Sequence, residues 1–228
     1  VRKQVESSLQ VSGTVTIAPD GSVQAHALDP DAPLGDALVV FLGDAISEWR
    51  FEPVTVDGKV VTAQVPMHLR LVARPAGDGK LNVSIASAHF GSRDKGEATD
   101  VVRSISLAPP TYPRGALSMG GKGTVYLIVQ VGRDGKVVNV DAEQVNLRVV
   151  GTENQMESLR ESFAKAAMRT ARKWTFQIPT TGEEADDEAW LVRVPVSFTL
   201  DSPGDRQRDR SGWESYVPGP RNMQMPWA

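Results

Sequence analysis

Three histidines, a glycine-rich segment and an acidic run are the parts of this 228-residue chain best suited to chemistry. Histidine is a common metal ligand, and two histidines four residues apart on a helix can hold zinc together. His26, His68 and His89 instead fall on separate predicted strands and have no such spacing. We therefore expect solvent-facing strand residues there and predict no metal site.

The glycine-rich segment 115–124, GALSMGGKGT, has the Gly-Lys pair of a phosphate-binding loop. That motif needs a glycine five residues before this pair and a Ser or Thr directly after the lysine. Ala116 and Gly123 occupy those two places. The spacing therefore fails at both ends, and we predict no phosphate loop.

The acidic run EEADDEA at 183–189 lies in a predicted loop and lacks the alternating oxygen ligands of a calcium loop, which leaves a weak incidental cation site as its only chemical interpretation. The chain has no cysteine and no Gly-x-Ser-x-Gly nucleophile elbow. The sequence therefore predicts no catalytic residue and no cofactor. We expect that the protein is not an enzyme.

Charge excludes one class of partner. The chain has 25 basic and 28 acidic residues and a pI near 5.7. Nucleic-acid binders rely on clustered Lys and Arg to neutralise phosphates. We therefore expect no nucleic-acid partner. No apolar run approaches the roughly 18 residues of a membrane span.

An internal repeat organises the elements that position these residues. Residues 13–28, GTVTIAPDGSVQAHAL, form two alternating runs around Asp20-Gly21, and residues 123–145 form two more around Asp134-Gly135. Asp-Gly between such runs is the strongest short hairpin signal, because glycine tolerates the positive φ of a tight turn. Each hairpin is followed by a helical stripe, a Trp-x-Phe segment and a closing strand that contains Val-Pro.

The helical stripes are apolar residues at the spacing of one helix face. They comprise Leu34, Leu38, Phe41, Leu42, Ala45 and Ile46 in the first copy, and Met156, Leu159, Phe163, Ala166 and Ala167 in the second. Thr152 and Gln155 have capping-box spacing, which predicts a helix over about 152–173. Trp49 with Phe51, and Trp174 with Phe176, follow the two helices, and we predict that they pack in the cores.

These patterns predict an α+β fold of two tandem two-layer modules, each a three-stranded antiparallel sheet packed with a helix. A turn signal at 77–79 joins a strand at 59–74 to one at 81–90, so the first sheet gains an extra β-hairpin. We divide the chain into modules at 1–108 and 109–200 and a charged, Pro- and Gly-rich tail at 201–228. The tail is either a disordered terminus or a segment whose stretch WESYVPGP docks on a domain.

The second copy contains a combination of residues that is specific as a set. An extended Tyr112-Pro113 segment precedes Ala116, Gly123 and the Asp134-Gly135 turn, and Trp174, Phe176 and Pro179 follow the helix. Together these residues resemble the C-terminal domain of TonB-family proteins. The first copy, 11–73, resembles a divergent second module without the Tyr-Pro segment.

The resemblance implies a non-enzymatic periplasmic protein that binds a protein partner by β-strand addition. In TonB this domain captures the N-terminal peptide of a TonB-dependent outer-membrane receptor and transmits inner-membrane energy to it. A free sheet edge suits that task, because its N–H and C=O groups are unpaired. By analogy the receiving strand is the last one, and the implied partner-binding residues are Tyr112, Pro113, Trp190, Val192, Val194, Val196 and Phe198.

A second hypothesis is a periplasmic adaptor, sensor domain or inhibitor module of the cell envelope without energy transduction. In that case the tail covers the edge of strand 190–200, and loops recognise the partner. A homodimer through a free edge is a further alternative. The resemblance implies a location in the periplasm of a Gram-negative bacterium. Because the chain opens on Val1 rather than Met, we expect that any leader or anchor has been removed, so the protein is either free or anchored through a missing N-terminal segment.

Overall fold

Alternating apolar residues and tight Asp-Gly turns fold this chain into antiparallel sheets with helices beside them. The computed structural model describes residues 5–91, 101–200, 212–224 and 227. Within these ranges an N-terminal unit comprises 7–91 and 212–214, and a C-terminal unit comprises the remainder. The predicted class, α+β with antiparallel sheets, is confirmed.

The N-terminal unit is a sheet with one helix and a small two-stranded ribbon. Its elements are β1 (Glu6–Ile17), β2 (Val23–Leu28), α1 (Asp36–Ser47), β3 (Thr55–Val56), β4 (Lys59–Val60), β5 (Ala63–Gly77) and β6 (Lys80–Phe90). Strand β1 pairs with β2 and β5, and β5 pairs with β6. The predicted extra hairpin is therefore present. Its first strand begins at Ala63 rather than at 59, because β4 pairs with β3 instead.

The core of the N-terminal unit lies between the inward side chains of β1 and β5 and one face of α1. Leu42 and Ile46, four residues apart on α1, are fully buried. Phe41 was predicted to share their stripe but is 37% exposed. A helix turns about 100° per residue, so Phe41 lies a quarter-turn or more from the buried line.

The C-terminal unit places one long helix against a three-stranded sheet. Its elements are β7 (Arg103–Ser106), α2 (Arg114–Ser118), β8 (Gly123–Gly132), β9 (Val137–Leu147), α3 (Glu153–Ala171), β10 (Thr175–Gln177), a 3-10 helix (Glu183–Asp186), β11 (Ala189–Phe198) and β12 (Glu214–Tyr216). The sheet order is β11-β8-β9. The acidic run, predicted as a loop, thus contains one short helical turn.

Three short strands of the C-terminal unit, β7, β10 and β12, were not predicted. Strand β7 pairs with β10. It lies in the C-terminal unit, whereas the predicted division at 108 and 109 assigns it to the first module. Strand β12 begins with Glu214, the last described residue of the N-terminal unit, and continues into the C-terminal unit.

Helix α3 forms where its cap and its stripe predict it. Thr152 and Gln155 form the capping box, in which the Thr152 N–H donates to the Gln155 side chain at 2.9 Å. This satisfies backbone donors that a helix start leaves unpaired. All five residues of the predicted stripe are buried, and the helix packs on β8 and β9.

The Trp-x-Phe segments make the same backbone contact in each unit. The Phe51 N–H donates to the Gly21 carbonyl at 2.8 Å, and the Phe176 N–H donates to the Gly135 carbonyl at 2.8 Å. Both glycines have positive φ, 80° and 72°. Trp174 and Phe176 are buried, and Trp49 and Phe51 are partly buried against the N-terminal core. The segments therefore pack as core residues, as predicted.

Candidate functional site

The outer edge of β11 is the open edge of the C-terminal sheet. Strand β11 pairs with β8 along its whole length, from Ala189 opposite Gly132 to Phe198 opposite Gly123. On its other side, no strand in the described ranges pairs with it. The backbone groups of this ten-residue strand that point away from β8 are therefore available to an incoming strand.

The side chains of β11 named from the sequence lie on its inner face. Trp190, Val194, Val196 and Phe198 are buried, and Val192 is partly buried against the same core. They stabilise the unit, so a partner strand would not touch their side chains directly. That these residues bind a partner stays a prediction, and the structure shows only that their side chains pack inward.

The intervening residues face outward. Leu191 is 56% exposed, and Arg193, Pro195 and Ser197 are exposed as well. Proline occurs in sheets where its nitrogen faces away from a partner strand. The Pro195 nitrogen therefore points at the open edge. The backbone N–H direction alternates along a strand, so every second residue from Pro195 directs its backbone groups to the same edge. Leu191, Arg193 and Ser197 offer their N–H and C=O groups there, and Pro195 offers only its carbonyl.

Tyr112 joins the Tyr-Pro segment to the end of β11. Its ring meets Phe198 edge-on at 5.5 Å and Phe163 of α3 at 5.8 Å, and its hydroxyl donates to the Gly121 carbonyl. Burial raises the pKa of the Tyr112 phenol, and the positive charge of Arg148 partly offsets this. The structure thus brings two predicted site residues, Tyr112 and Phe198, into contact.

The Tyr-Pro segment is fixed at both ends. The indole N–H of Trp174 donates to the Ala108 carbonyl at 2.9 Å. Pro113 is the N-cap residue of α2, with φ of −65°. Since a proline ring fixes φ near this value, the residue is already shaped for that position. Tyr112 and Pro113 therefore act first as structural residues that hold the segment in place.

A basic groove lies between this segment and α3, and sequence reasoning missed it. It has a volume of about 410 Å³ and is lined by Arg114, Lys165 and Arg169 together with uncharged side chains. Lys165 pairs with Glu161 at 2.8 Å, and this hydrogen bond lowers the pKa of the Glu161 carboxyl. Arg114 and Arg169 form no ion pair within the described ranges. Arg114 lies more than 50 positions before Lys165 and Arg169 in the sequence, so no local pattern indicates that they share a groove.

The tail lies on the opposite edge of the C-terminal sheet from β11. Val217 bridges to Leu147 of β9, and Tyr216 and Val217 are buried. Trp213 packs against the core of the N-terminal unit. The alternative in which the tail covers β11 therefore finds no support in residues 212–224.

The histidines lie on β2, β5 and β6. His68 stands directly opposite His89, and its Nδ1 lies 3.1 Å from the Ser12 hydroxyl. Among the described residues, no group of three or more His, Asp or Glu side chains is placed to hold a metal. No helix in the described part of the chain has the length and apolar character to cross a membrane.

Comparison with known proteins gives three relatives. No family model matches the chain. It is 38% identical over 108 residues to Protein TonB of Xanthomonas campestris pv. campestris, strains B100 and ATCC 33913. It is 32% identical over 91 residues to Protein tonB2 of Pseudomonas aeruginosa strain PAO1.

Part of the chain is similar in sequence to TonB proteins. The Xanthomonas match covers 47% of this chain and 41% of each Xanthomonas protein. The Pseudomonas match covers 40% of this chain and 28% of the Pseudomonas protein. The chain therefore spans less than half the length of these TonB relatives. A solution NMR structure of the Pseudomonas aeruginosa TonB CTD aligns with 44% of the chain at 17% identity, but with a TM-score of 0.29. At that score the alignment establishes nothing about the fold of this chain.

Proposed function

We propose that this chain is a non-enzymatic, periplasmic TonB-like protein that binds a protein partner by adding the partner's strand to β11. The N-terminal peptide of a TonB-dependent outer-membrane receptor is the partner that the relatives favour. In that role the chain is the receptor-facing part of an energy transducer of a Gram-negative envelope. The observation that carries the proposal is the open ten-residue edge of β11.

The geometry of β11 supports peptide capture in an extended form. An added strand gains main-chain hydrogen bonds from an edge, whatever its side chains are. Leu191, Arg193 and Ser197 supply those bonds, and Leu191 adds apolar surface. Because Pro195 lacks an N–H, the ladder has one missing donor in its middle.

The Tyr-Pro segment and the basic groove extend this surface. Tyr112 lies against Phe198, the last residue of β11, so a partner that follows β11 to its end reaches this segment. Arg114, Lys165 and Arg169 line the adjoining groove. Opposite charge there raises association rates and selects against basic partners.

We also propose that the two units are tandem copies of one TonB-like module. The matching contacts Gly21 to Phe51 and Gly135 to Phe176 support this, as does the order hairpin, helix, strand in each unit. In the N-terminal unit the strand equivalent to β11 is β5, and β6 already pairs with it. The N-terminal unit therefore has no counterpart of the β11 edge, although β6 has an outer edge of its own.

A binding measurement with two variants of Leu191 tests the proposal. A fluorescent N-terminal peptide of a TonB-dependent receptor is titrated into the full chain by anisotropy. Leu191→Pro removes one outward N–H and leaves the pairing with β8 intact, and Leu191→Ala is the matched control for the side chain. Losing one hydrogen bond costs about 1 kcal/mol, which corresponds to about a fivefold weaker Kd for the proline variant than for the alanine variant.

Two results would contradict strand addition at β11. One is no binding of the peptide to the wild-type chain at about 1 mM, the limit of a weak specific complex. The other is equal binding by the Leu191→Pro and Leu191→Ala variants, with amide spectra that show both are folded.

A further inference from the structure

We propose that the outer edge of β9 is a second strand-binding site, whose ligand is an extended Val-Pro-Gly-Pro-Arg segment. Residues 217–221 of the chain's own tail fill it in cis. This inference goes beyond the proposed function, because β9 is the edge opposite β11. It rests on a set of contacts that all belong to the C-terminal unit.

Backbone hydrogen bonds join the segment to β9 at both ends. Leu147 and Val217 exchange two bonds, with the Leu147 N–H donating at 3.0 Å and the Val217 N–H at 2.7 Å. This reciprocal pair is the unit of an antiparallel ladder. Further along, the Asn222 N–H donates to the Glu143 carbonyl at 2.8 Å. The tail therefore follows β9 from Leu147 to Glu143.

Side chains of β9 and α3 bind the backbone between those two points. The Gln144 side-chain amide donates to the Gly219 carbonyl at 2.8 Å, and the Gly219 N–H donates to the Asn146 side-chain oxygen at 3.2 Å. The Arg160 guanidinium donates to the Pro218 carbonyl at 3.3 Å. Side chains replace the regular ladder here because Pro218 has no N–H to offer.

Three positions of the segment give the site its selectivity. Val217 is 2% exposed and belongs to the core of the unit. A Cβ at Gly219 would stand 2.3 Å from the Val145 carbonyl oxygen, so only glycine fits. Arg221 contacts the buried Glu143 carboxylate at 2.5 Å from Nη2 and 2.8 Å from Nε. An apolar residue, a glycine and an arginine are thus each required at a fixed spacing.

Glu143 keeps a partner when the segment is absent. Its other carboxylate oxygen contacts the Nε of Arg193 at 2.5 Å, and Arg193 also stacks over the Tyr126 ring at 4.7 Å. Losing Arg221 therefore does not leave the buried carboxylate without a counter-charge, which is the outcome that makes a broken buried pair costly. Emptying the site therefore leaves no unpaired buried charge in the sheet.

The cis segment also explains which edge of the unit is open. A strand edge with unpaired groups is a template for unwanted pairing, and proteins cover such edges. The tail covers β9 and leaves β11 uncovered within the described ranges. Strand addition to the C-terminal unit is therefore directed to β11.

The test uses the full ¹⁵N-labelled chain with Gly219→Val, which releases the segment by its clash with Val145. Met223→Val is the matched control, because Met223 lies four residues on and is 80% exposed. We expect at least a tenfold faster exchange of the Leu147 amide in Gly219→Val and no change in the control. Arg221→Glu is a second variant at an exposed position, and it should also make the exchange of the Leu147 amide faster.

A synthetic peptide of residues 212–224 then tests ligand binding in trans. It should restore slow exchange at Leu147 and shift the amides of 143–147 in the Gly219→Val chain. The wild-type chain should not respond, because its tethered segment competes at an effective concentration in the millimolar range. The same peptide with Gly219→Val should not bind either chain.

Several results would overturn the proposal. Unchanged Leu147 exchange in both Gly219→Val and Arg221→Glu would show that the segment is not bound there. Failure of the wild-type peptide to bind the Gly219→Val chain would show that no separable site exists, and shifts confined to 190–198 would assign the peptide to β11. A concentration-dependent dimer of the wild type would mean that the tails exchange between copies, which would overturn the assignment of the segment in cis. If a receptor peptide failed to bind β11, the exchange of the Leu147 amide and the shifts of the amides of 143–147 would be unaffected. The two proposals can therefore fail separately.

Discussion

Alanine at Gly21 or Gly135 should destabilise its unit far more than alanine at other left-handed glycines. A non-glycine residue at positive φ costs about 1–2 kcal/mol. At Gly21 a Cβ would also stand 2.0 Å from the Phe51 oxygen, and at Gly135 it would stand 2.2 Å from the Phe176 oxygen. Separating these segments loses a hydrogen bond of about 1 kcal/mol and shifts core packing by about 1–3 kcal/mol. The total is about 3–6 kcal/mol at each position.

Each unit contains its own control. Gly58 in the N-terminal unit has φ of 75°, and Gly120 in the C-terminal unit has φ of 60°. A Cβ at either would meet no atom of the described chain within 4 Å. Gly58→Ala and Gly120→Ala should therefore cost only the conformational part, about 1–2 kcal/mol.

The assay is urea unfolding of the full chain, followed by amide peak volumes so that each unit reports separately. We expect Gly21→Ala to lower the midpoint of the N-terminal unit and Gly135→Ala that of the C-terminal unit, with similar losses. Equal costs at Gly135 and Gly120 would refute the argument that the turn binds the Trp-x-Phe segment. A large loss at Gly135 but not at Gly21 would refute the equivalence of the two modules.

Three further predictions concern the C-terminal unit. Phe163→Ala should cost about 3–5 kcal/mol in urea unfolding, because this fully buried ring stacks on Phe198 at 4.4 Å; a loss below about 1 kcal/mol would contradict its place in the core. Thr152→Ala should cost about 1 kcal/mol through the lost cap of α3, and Thr152→Ser, the control, should cost little. The Lys136 N–H donates to the Asp134 carboxylate at 3.0 Å and lowers its pKa. The lowered pKa of the Asp134 carboxyl stabilises the fold at pH values above its unfolded pKa, and this stabilisation is lost as the pH falls below about 4. Asp134→Asn should therefore reduce the fall in unfolding free energy at acid pH; an unchanged pH profile would contradict this.

Local signals in the sequence predicted the elements that short-range physics determines. The Asp20-Gly21 and Asp134-Gly135 turns follow from the freedom of glycine at positive φ, and both hairpins form around them. Helix α3 follows from the Thr152 cap and a stripe that the sheet buries. In these places the pattern and the final contact lie within a few residues of each other.

Contacts between distant segments were not predictable in the same way. Strands β3, β4, β7 and β10 have two to four residues each, too few to show a period. The binding of Gly219 to Gln144 joins residues 75 positions apart, and nothing local to either indicates the other. The inner and outer faces of β11 both contain apolar residues, so alternation alone did not show that Trp190 packs inside while Leu191 faces out.

Amide hydrogen exchange along β11, with and without a saturating N-terminal receptor peptide, tests strand addition most directly. The account predicts slower exchange at Leu191, Arg193 and Ser197, whose N–H groups point at the open edge, and little change at Trp190 and Val194, which already pair with β8. Slower exchange at Trp190 and Val194 alone, or no change in β11 while the peptide is bound, would contradict strand addition at β11.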